Sequence, residues 1–214
     1  MKDIAVYGAG GYGREVACMI QQINVLSNQW HFVGFFDDNP VIHGTSNPYG
    51  VVLGGRETVN AWPTPLSIVI AIGTPSVINT IVTKITNPMI DFPNIVAPTV
   101  VFLDEKSVKM GKGNILGCNC FVSCNVKIGD FNIFNGYIPI GHDVCFGSYN
   151  VVMPSCNISG GVAIGDQNFL GVQSVILQNI TIGDATRIGA GSVVMRNTRD
   201  GYLYLGSPAK IIEL

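Results

Sequence analysis

From Met110 to Val194 every sixth residue is a large apolar side chain. The series runs Met110, Leu116, Val122, Ile128, Phe134, Ile140, Phe146, Val152, Ile158, Ile164, Leu170, Ile176, Ile182, Ile188 and Val194 without a gap. Glycine often fills the next slot, as at Gly111, Gly117, Gly129, Gly141, Gly147, Gly165, Gly171, Gly183 and Gly189. A hexad kept this long predicts a parallel β-helix of hexapeptide repeats. Two positions before each apolar residue, a second period of eighteen appears. Val108, Val126, Val144, Val162 and Ile180 form one row. Asn114, Asn132, Asn150 and Asn168, continued by Thr186, form a second. Cys120, Ile138, Cys156, Ser174 and Ser192 form the third. Three hexads therefore make one coil of a three-sided prism. Short strands form its sides, turns of Gly, Asn and Asp form its corners, and coils stack about 4.8 Å apart. Side chains alternate in and out along each strand, so the rows fill the prism.

Residues 1 to about 95 follow another rule. An apolar run at 4–7 ends in Gly8-Ala9-Gly10-Gly11-Tyr12-Gly13, and Val16, Ala17, Ile20 and Ile23 then repeat at helical spacing. An extended run at 31–36 ends in Asp37-Asp38, residues 40–55 read as loop, and a short helix fits 57–61. A buried strand at 67–72 leads through Gly73-Thr74-Pro75 to a helix with Val77, Ile78, Ile81, Val82 and Ile85 on one face. This alternation predicts a small parallel, Rossmann-like sheet with right-handed crossovers. Pro98 and Asp104-Glu105-Lys106 interrupt the apolar ladder at the joint, which reads as a short linker or helix and an imperfect first coil. The expected parts are 1–95, 96–198 and a tail, 199–214.

Bulk properties narrow the classes. Apolar residues make up 47% of the 214, ample for a core, and charged residues 12%, which suits a solenoid whose sides are covered by other subunits. A net charge of −2 gives no reason to expect nucleic acid. No apolar run reaches the roughly 18 residues of a membrane span. Met1-Lys2-Asp3 leads straight into a strand-like run, so the expectation is a cytoplasmic chain with no leader. Cys118, Cys120 and Cys124 match no usual zinc spacing, and with Cys18, Cys145 and Cys156 they read as small buried thiols.

Two stretches carry chemistry. Gly8, Gly10 and Gly13 lie between a strand and a helix, where backbone can turn tightly and helix N–H groups can meet a phosphate. Asp37 and Asp38 then suit ribose or base donors. NAD is the competing ligand. The domain has about half the strands of a full dinucleotide fold, so a mononucleotide head such as a nucleotide-sugar fits better. His142 is the only histidine of the solenoid and precedes Asp143. An imidazole can take a proton from an attacking amine or hydroxyl near neutral pH, oriented by a neighbouring carboxylate. Read alone, the residue is equally a solvated corner histidine. His31 and His43 look structural or exposed.

The whole chain resembles the bacterial sugar acyltransferases of the sialic acid O-acetyltransferase and PglD type. The likeness rests on Tyr7-Gly8-Ala9-Gly10-Gly11-Tyr12-Gly13-Arg14, Asp37-Asp38, Ala71-Ile72-Gly73, Ile140-Gly141-His142-Asp143, Gly160-Gly161-Val162-Ala163-Ile164-Gly165 and Gly206-Ser207-Pro208-Ala209-Lys210. It implies a left-handed solenoid, a homotrimer with its active sites between subunits, acetyl-CoA as co-substrate and a nucleotide-sugar acceptor. By that resemblance His142 is the general base, Asp143 its partner, and Asn135 a contact to the sugar or reacting group. Gly10, Gly11, Tyr12, Asp37, Asp38, Gly73 and Thr74 face the nucleotide-sugar, and CoA runs past Gly160, Val172 and Ala190. Members often have Glu at the place of Asp143 and a second histidine at the place of Val151. The expected reaction is direct N-acetylation of a nucleotide-linked amino sugar for surface glycan, without a metal. O-acetylation of a sialic-acid-like sugar is the alternative, and an NAD- or nucleotide-binding oligomer without acyl transfer a remoter one. Cys124, eighteen residues before His142, keeps an acyl-enzyme open.

Overall fold

The structure is a computed structural model, described here over residues 1–212. It divides into two compact units, Met1–Pro98 and Thr99–Leu214. The first is α/β. Strand β1 (Lys2–Tyr7) leads to helix α1 (Gly11–Ser27) and β2 (Trp30–Phe36). A hairpin, β3 (Ser46–Asn47) and β4 (Gly50–Gly54), precedes the short α2 (Arg56–Asn60). Then come β5 (Leu66–Ile70), α3 (Pro75–Lys84) and β6 (Ile90–Asp91). The sheet order is β3-β4-β2-β1-β5-β6. Only the β3–β4 pair is antiparallel. Both faces are covered, so β5 is buried along its whole length and reads as a continuous apolar run.

The hairpin corrects the loop expected over 40–55. Its signal is weak because Gly50 and Gly54 give no alternation. They serve close packing instead. A side chain at Gly50 would start 3.1 Å from the Phe32 ring, and one at the facing Gly34 would meet the Val51 carbonyl at 2.6 Å.

The second unit is a parallel β-helix of the left-handed hexapeptide class. Its strands are mostly two residues long and stack in three sheets, each strand pairing with the one eighteen residues on. One side holds Ile115–Leu116, Ile133–Phe134, Val151–Val152, Phe169–Leu170 and Arg187–Ile188. The next holds Phe121–Val122, Pro139–Ile140, Asn157–Ile158, Val175–Ile176 and Val193–Val194. The third runs from Lys109–Met110 to Thr181–Ile182. Coiling begins before the hexad ladder, because Val101–Phe102 already pairs with Phe121–Val122 and a 3₁₀ turn at Glu105–Ser107 makes the next corner. It also outlasts the ladder. Leu203–Leu205 adds parallel to Arg187–Ile188, and Lys210–Ile212 folds back antiparallel on it.

Every sixth residue from Gly113 to Gly191 has positive φ, the left-handed bend that turns each corner. Asn, Asp and Gly suit that conformation. Here Phe131, Tyr137 and Tyr149 adopt it as well. Phe131 stacks on Tyr149 with ring centroids 5.6 Å apart, and its other face lies where glycine at 113 leaves room for it.

The inward rows fall where the eighteen-residue period puts them. Asn114, Asn132, Asn150, Asn168 and Thr186 are fully buried. Each Asn Oδ1 accepts the backbone N–H of the next member one coil on, over 2.7–3.0 Å. The Asn132 amide also donates to the Gly147 carbonyl at 2.9 Å. A buried polar row is tolerated because its members bond one another, although the Asn168 amide Nδ2 is buried without a partner among the described residues. The thiols divide differently from expectation. Cys120 and Cys156 are buried in the rows, while Cys18, Cys118, Cys124 and Cys145 are partly exposed, the last three at corner or outward positions. Burial pushes the Cys120 thiol up to about 11.

Removing one rung tests the row. Asn150→Ala strands the Asn168 N–H, at a cost of about 1–3 kcal/mol for the unpaired donor plus lost packing. Asn157→Ala, on the outer surface, should stay within about 0.5 kcal/mol of the parent. Urea unfolding midpoints separate the two, and equal midpoints would refute the ladder.

Candidate active site

In the first unit, β1 and β5 are neighbours, and the chain leaves their carboxyl ends toward opposite sides of the sheet. Such a switch point opens a crevice for a ligand. Gly8 and Gly13 build the turn there. A Cβ on Gly8, at φ +113, would meet the Ala71 carbonyl oxygen at 2.7 Å, and one on Gly13 would fall on the Gly8 carbonyl. Gly10, Gly11 and Gly73 have no atom within 4 Å of that place, so their Cα atoms face open space. Gly10 is the N-cap of α1. No side chain caps that end and no acid lies in the first turn, which leaves its N–H groups and partial positive charge for an anion. Thr74 precedes α3 without capping it, and Gly73 and Thr74 are exposed; Tyr12 is half-buried.

The two acids are more committed than their sequence suggests. Asp37 accepts the Ala9 N–H on one oxygen and the Asn39 N–H on the other, both at 2.9 Å. Asp38 Oδ1 accepts the Tyr7 phenol at 2.5 Å and the Arg56 N–H at 3.1 Å. Burial first, then Asp38, raises the Tyr7 phenol far above its usual range, so it remains a donor. Asp37 and Asp38 thus tie the glycine turn to the next two loops. Only Asp38 Oδ2 takes no donor among the described residues. His43 is structural here, with Nε2 2.7 Å from the Asp37 carbonyl, and His31 pairs with Asp3 at 2.8 Å on the surface.

In the second unit His142 lies at the corner after Pro139–Ile140. Its Nδ1 is 2.8 Å from Asp143 Oδ2. A carboxylate only accepts, so Nδ1 carries the hydrogen and Nε2 keeps its lone pair. Asp143 bends at φ +58 and anchors its N–H on the Cys124 carbonyl at 3.0 Å. Its other oxygen accepts the Asn125 amide at 3.1 Å. The His142 bond, then the Asn125 bond, hold the Asp143 carboxyl below its usual value. The pair is therefore present above the usual carboxylate range and is lost as pH falls through the lowered value. Gly160, one coil on, is what the ring packs against. A Cβ there would lie 2.6 Å from His142 Nε2 and Cε1.

The corners also differ in how their backbone is finished. At one of them each N–H is capped by a side chain one coil on: Lys112 by Asp130, Asp130 by Ser148, Ser148 by Asp166, Asp166 by Asp184 and Asp184 by Asp200. The same slots at the other two corners hold Cys124, His142 and Gly160, and Gly136, Val172 and Ala190. Their N–H groups find no partner among the described residues. Two edges of the prism thus present open donors.

The predicted solenoid residues separate onto those two edges. His142, Asp143 and Gly160 share one. Asn135 lies at the previous corner, with its amide on Met153 Sδ at 3.3 Å. Val172 and Ala190 share that second edge and line a groove of about 230 Å³ with Met153, Phe169, Arg187 and Leu203. Within one chain the structure does not bring Asn135 to His142, since their strands belong to different sheets. Val151 is fully buried. Three site residues escaped the sequence reading. Asn125 and Met153 stand eighteen residues from Asp143 and Asn135, so the column arithmetic could have found them. Arg187, 4.9 Å from the Phe169 ring centroid, had no signal beyond the same offset. Among the described residues no group of three His, Cys, Asp or Glu side chains could hold a metal, and no helix is long and apolar enough to cross a membrane.

Comparison with known proteins agrees with this architecture. Residues 3–85 match the family model of the PglD N-terminal domain. No curated protein matches the sequence. Among solved structures the chain is similar to WeeI from Acinetobacter baumannii AYE, at 28% identity and TM-score 0.89 over 99% of this chain and 100% of that one. It is also similar to the acetyltransferase domain of PglB from Neisseria gonorrhoeae FA1090 in complex with acetyl coenzyme A, at 25%, 0.88 and 99% of both chains. A variant of GDP-perosamine N-acetyltransferase from Caulobacter crescentus, in complex with CoA and GDP-perosamine, gives 25%, 0.85, and 100% and 98%. The N-terminal unit matches the PglD N-terminal domain, and the chain as a whole shares the fold of these acetyltransferases.

Gly160→Ala provides a direct test of the His142 placement. The added methyl occupies the space of the ring, so turnover should fall by about 10²–10⁴-fold, as for loss of a positioned base. The melting temperature should stay within a few degrees of the parent. Unchanged turnover would show that the ring does not work from this position.

Proposed function

We propose that the chain is an acetyl-CoA-dependent N-acetyltransferase acting on a nucleotide-linked amino sugar in the cytoplasm, for surface glycan synthesis. The observation that carries this reading is the His142 ring, held by Asp143 at Nδ1 and seated on bare Gly160. Its Nε2 accepts a proton as the acceptor amine attacks the thioester carbonyl. An open backbone N–H on the same edge, such as that of Gly160, steadies the oxyanion. The tetrahedral adduct collapses, the C–S bond breaks, and CoA leaves as the thiol after taking a proton. The open crevice at Gly10, Gly11, Gly73 and Thr74 supports a nucleotide diphosphate on the uncapped helix ends. The groove at Val172 and Ala190 supports CoA, with Arg187 as a cation for its phosphates.

We infer a homotrimer, and the separation of the two edges supports a site shared between copies. His142 and Asn135 lie at successive corners of one prism, so a single site that uses both takes one edge from each of two copies. That is how Val172 and Ala190 of one subunit would serve the base of its neighbour.

Three measurements test the reading. Acetyl-CoA mixed with UDP-, GDP- and dTDP-linked amino sugars should release free CoA with one of them and leave an amide. Release only with hydroxyl acceptors would replace N- by O-acetylation, and release with none would reject acyl transfer. His142→Ala should lower kcat by about 10²–10⁴-fold with acetyl-CoA binding intact, while Cys124→Ala should keep turnover. Loss of turnover in the latter, with binding retained, would favour an acyl-enzyme. Refolding His142→Ala and Asn135→Ala chains together should restore turnover that neither has alone; no recovery would refute the shared site.

A further inference from the structure

The Asp143–His142 pair is on the surface, with more than half of each side chain exposed. Exposed pairs of this kind are worth little and hold no fixed geometry by themselves. Here the carboxylate is held from a second direction. The Asn125 amide, one coil below, donates to Asp143 Oδ1 at 3.1 Å and leaves Oδ2 for the ring. Asn125 is itself fixed. It occupies the left-handed region at φ +58, and its N–H bonds to Ser107 Oγ at 2.8 Å. Ser107 in turn donates to the Asp104 carbonyl at 2.9 Å. Ser107, Asn125 and Asp143 stand one coil apart in one column. On the far side of Asp143 the column holds Gly161, whose N–H bonds the His142 carbonyl at 2.8 Å and which has no side chain to compete for the carboxylate.

We propose that Asn125 is a positioning residue for the base: by fixing the rotamer of Asp143 it holds His142 in the tautomer with a free Nε2. The inference rests on His142 being the base of the proposed reaction. Asparagine fits the position for two reasons. It tolerates the left-handed bend, and it offers a neutral donor to a carboxylate. Aspartate would keep the bend and the shape but set a second negative charge against Asp143. Glycine would keep the bend and remove the donor. In either case the carboxylate is free to turn away, and the ring loses the acceptor that selects Nδ1–H.

The test is ring ¹⁵N NMR on the full-length protein without substrate, with the His142 signal assigned by its absence in His142→Asn. The parent should show a single tautomer, protonated at Nδ1. Asn125→Gly and Asn125→Asp should show exchange between both tautomers. In steady state kcat should fall about tenfold, the lower end of what outer partners of a working histidine are worth, with KM for acetyl-CoA unchanged. Asn125→Asp keeps the shape of the side chain, and so covers the case in which the glycine variant folds poorly. A parent-like ring and kcat in both variants would overturn the proposal, as would a fall in kcat with the ring unaltered. A tautomer change in a protein that acylates no acceptor would uphold the role of Asn125 and count against the proposed function instead.

Discussion

The solenoid depends on one repeated hydrogen bond, from a strand N–H to a carbonyl one coil on, as from Ile133 to Asn150 at 2.8 Å and from Lys127 to Val144 at 2.9 Å. With two-residue strands no single side could hold its register alone. Register is kept because all three sides share it and because the buried Asn row reads the same offset through its side chains. A slip by one residue would turn the apolar row outward and break every rung of that row. The eighteen-residue step is therefore a rigid coordinate, and any two residues that far apart lie one above the other.

The candidate chemistry uses that coordinate directly. The corner capped by Asp130, Asp166, Asp184 and Asp200 spends its polar side chains on its own backbone. The other corners carry Cys, His, Gly, Val and Ala in the equivalent slots and leave their N–H groups open. A thioester and its pantetheine arm are rich in carbonyl oxygens, so such edges offer them donors without a dedicated side chain. His142 sits on one of these edges because Gly160 provides the space of a missing Cβ.

The first unit follows a different economy. Its open groups are backbone N–H groups at uncapped helix ends, next to glycines with nothing over their Cα atoms. Its acids act mainly as internal ties. Asp37 and Asp38 close the loops around that crevice by accepting N–H groups from Ala9, Asn39 and Arg56 and the phenol of Tyr7.

The hexad and its triple determined the solenoid by themselves, since a period in sequence is a period in space once coils stack. They also put Cys124, His142 and Gly160 in one column and the asparagines in the core. The glycine turn and the order of strands and helices 4–7, 31–36 and 67–72 were equally legible, because each rests on local periodicity. Only the tertiary structure decided the rest. The hairpin at Ser46–Gly54 has no alternation to betray it, being held by close packing of glycine against aromatic rings. Phe131, Tyr137 and Tyr149 turn corners against their own preference because the coil forces the bend on whatever stands there. That Asp37 also accepts two backbone N–H groups is visible only in the fold. The link from Asn125 to Asp143, and the separation of Asn135 from His142, depend on which side chain faces which across a coil or a corner. The eighteen-residue offset puts Asn125 under Asp143, but which atoms meet across a coil or a corner is set by side-chain rotamers that local sequence does not record.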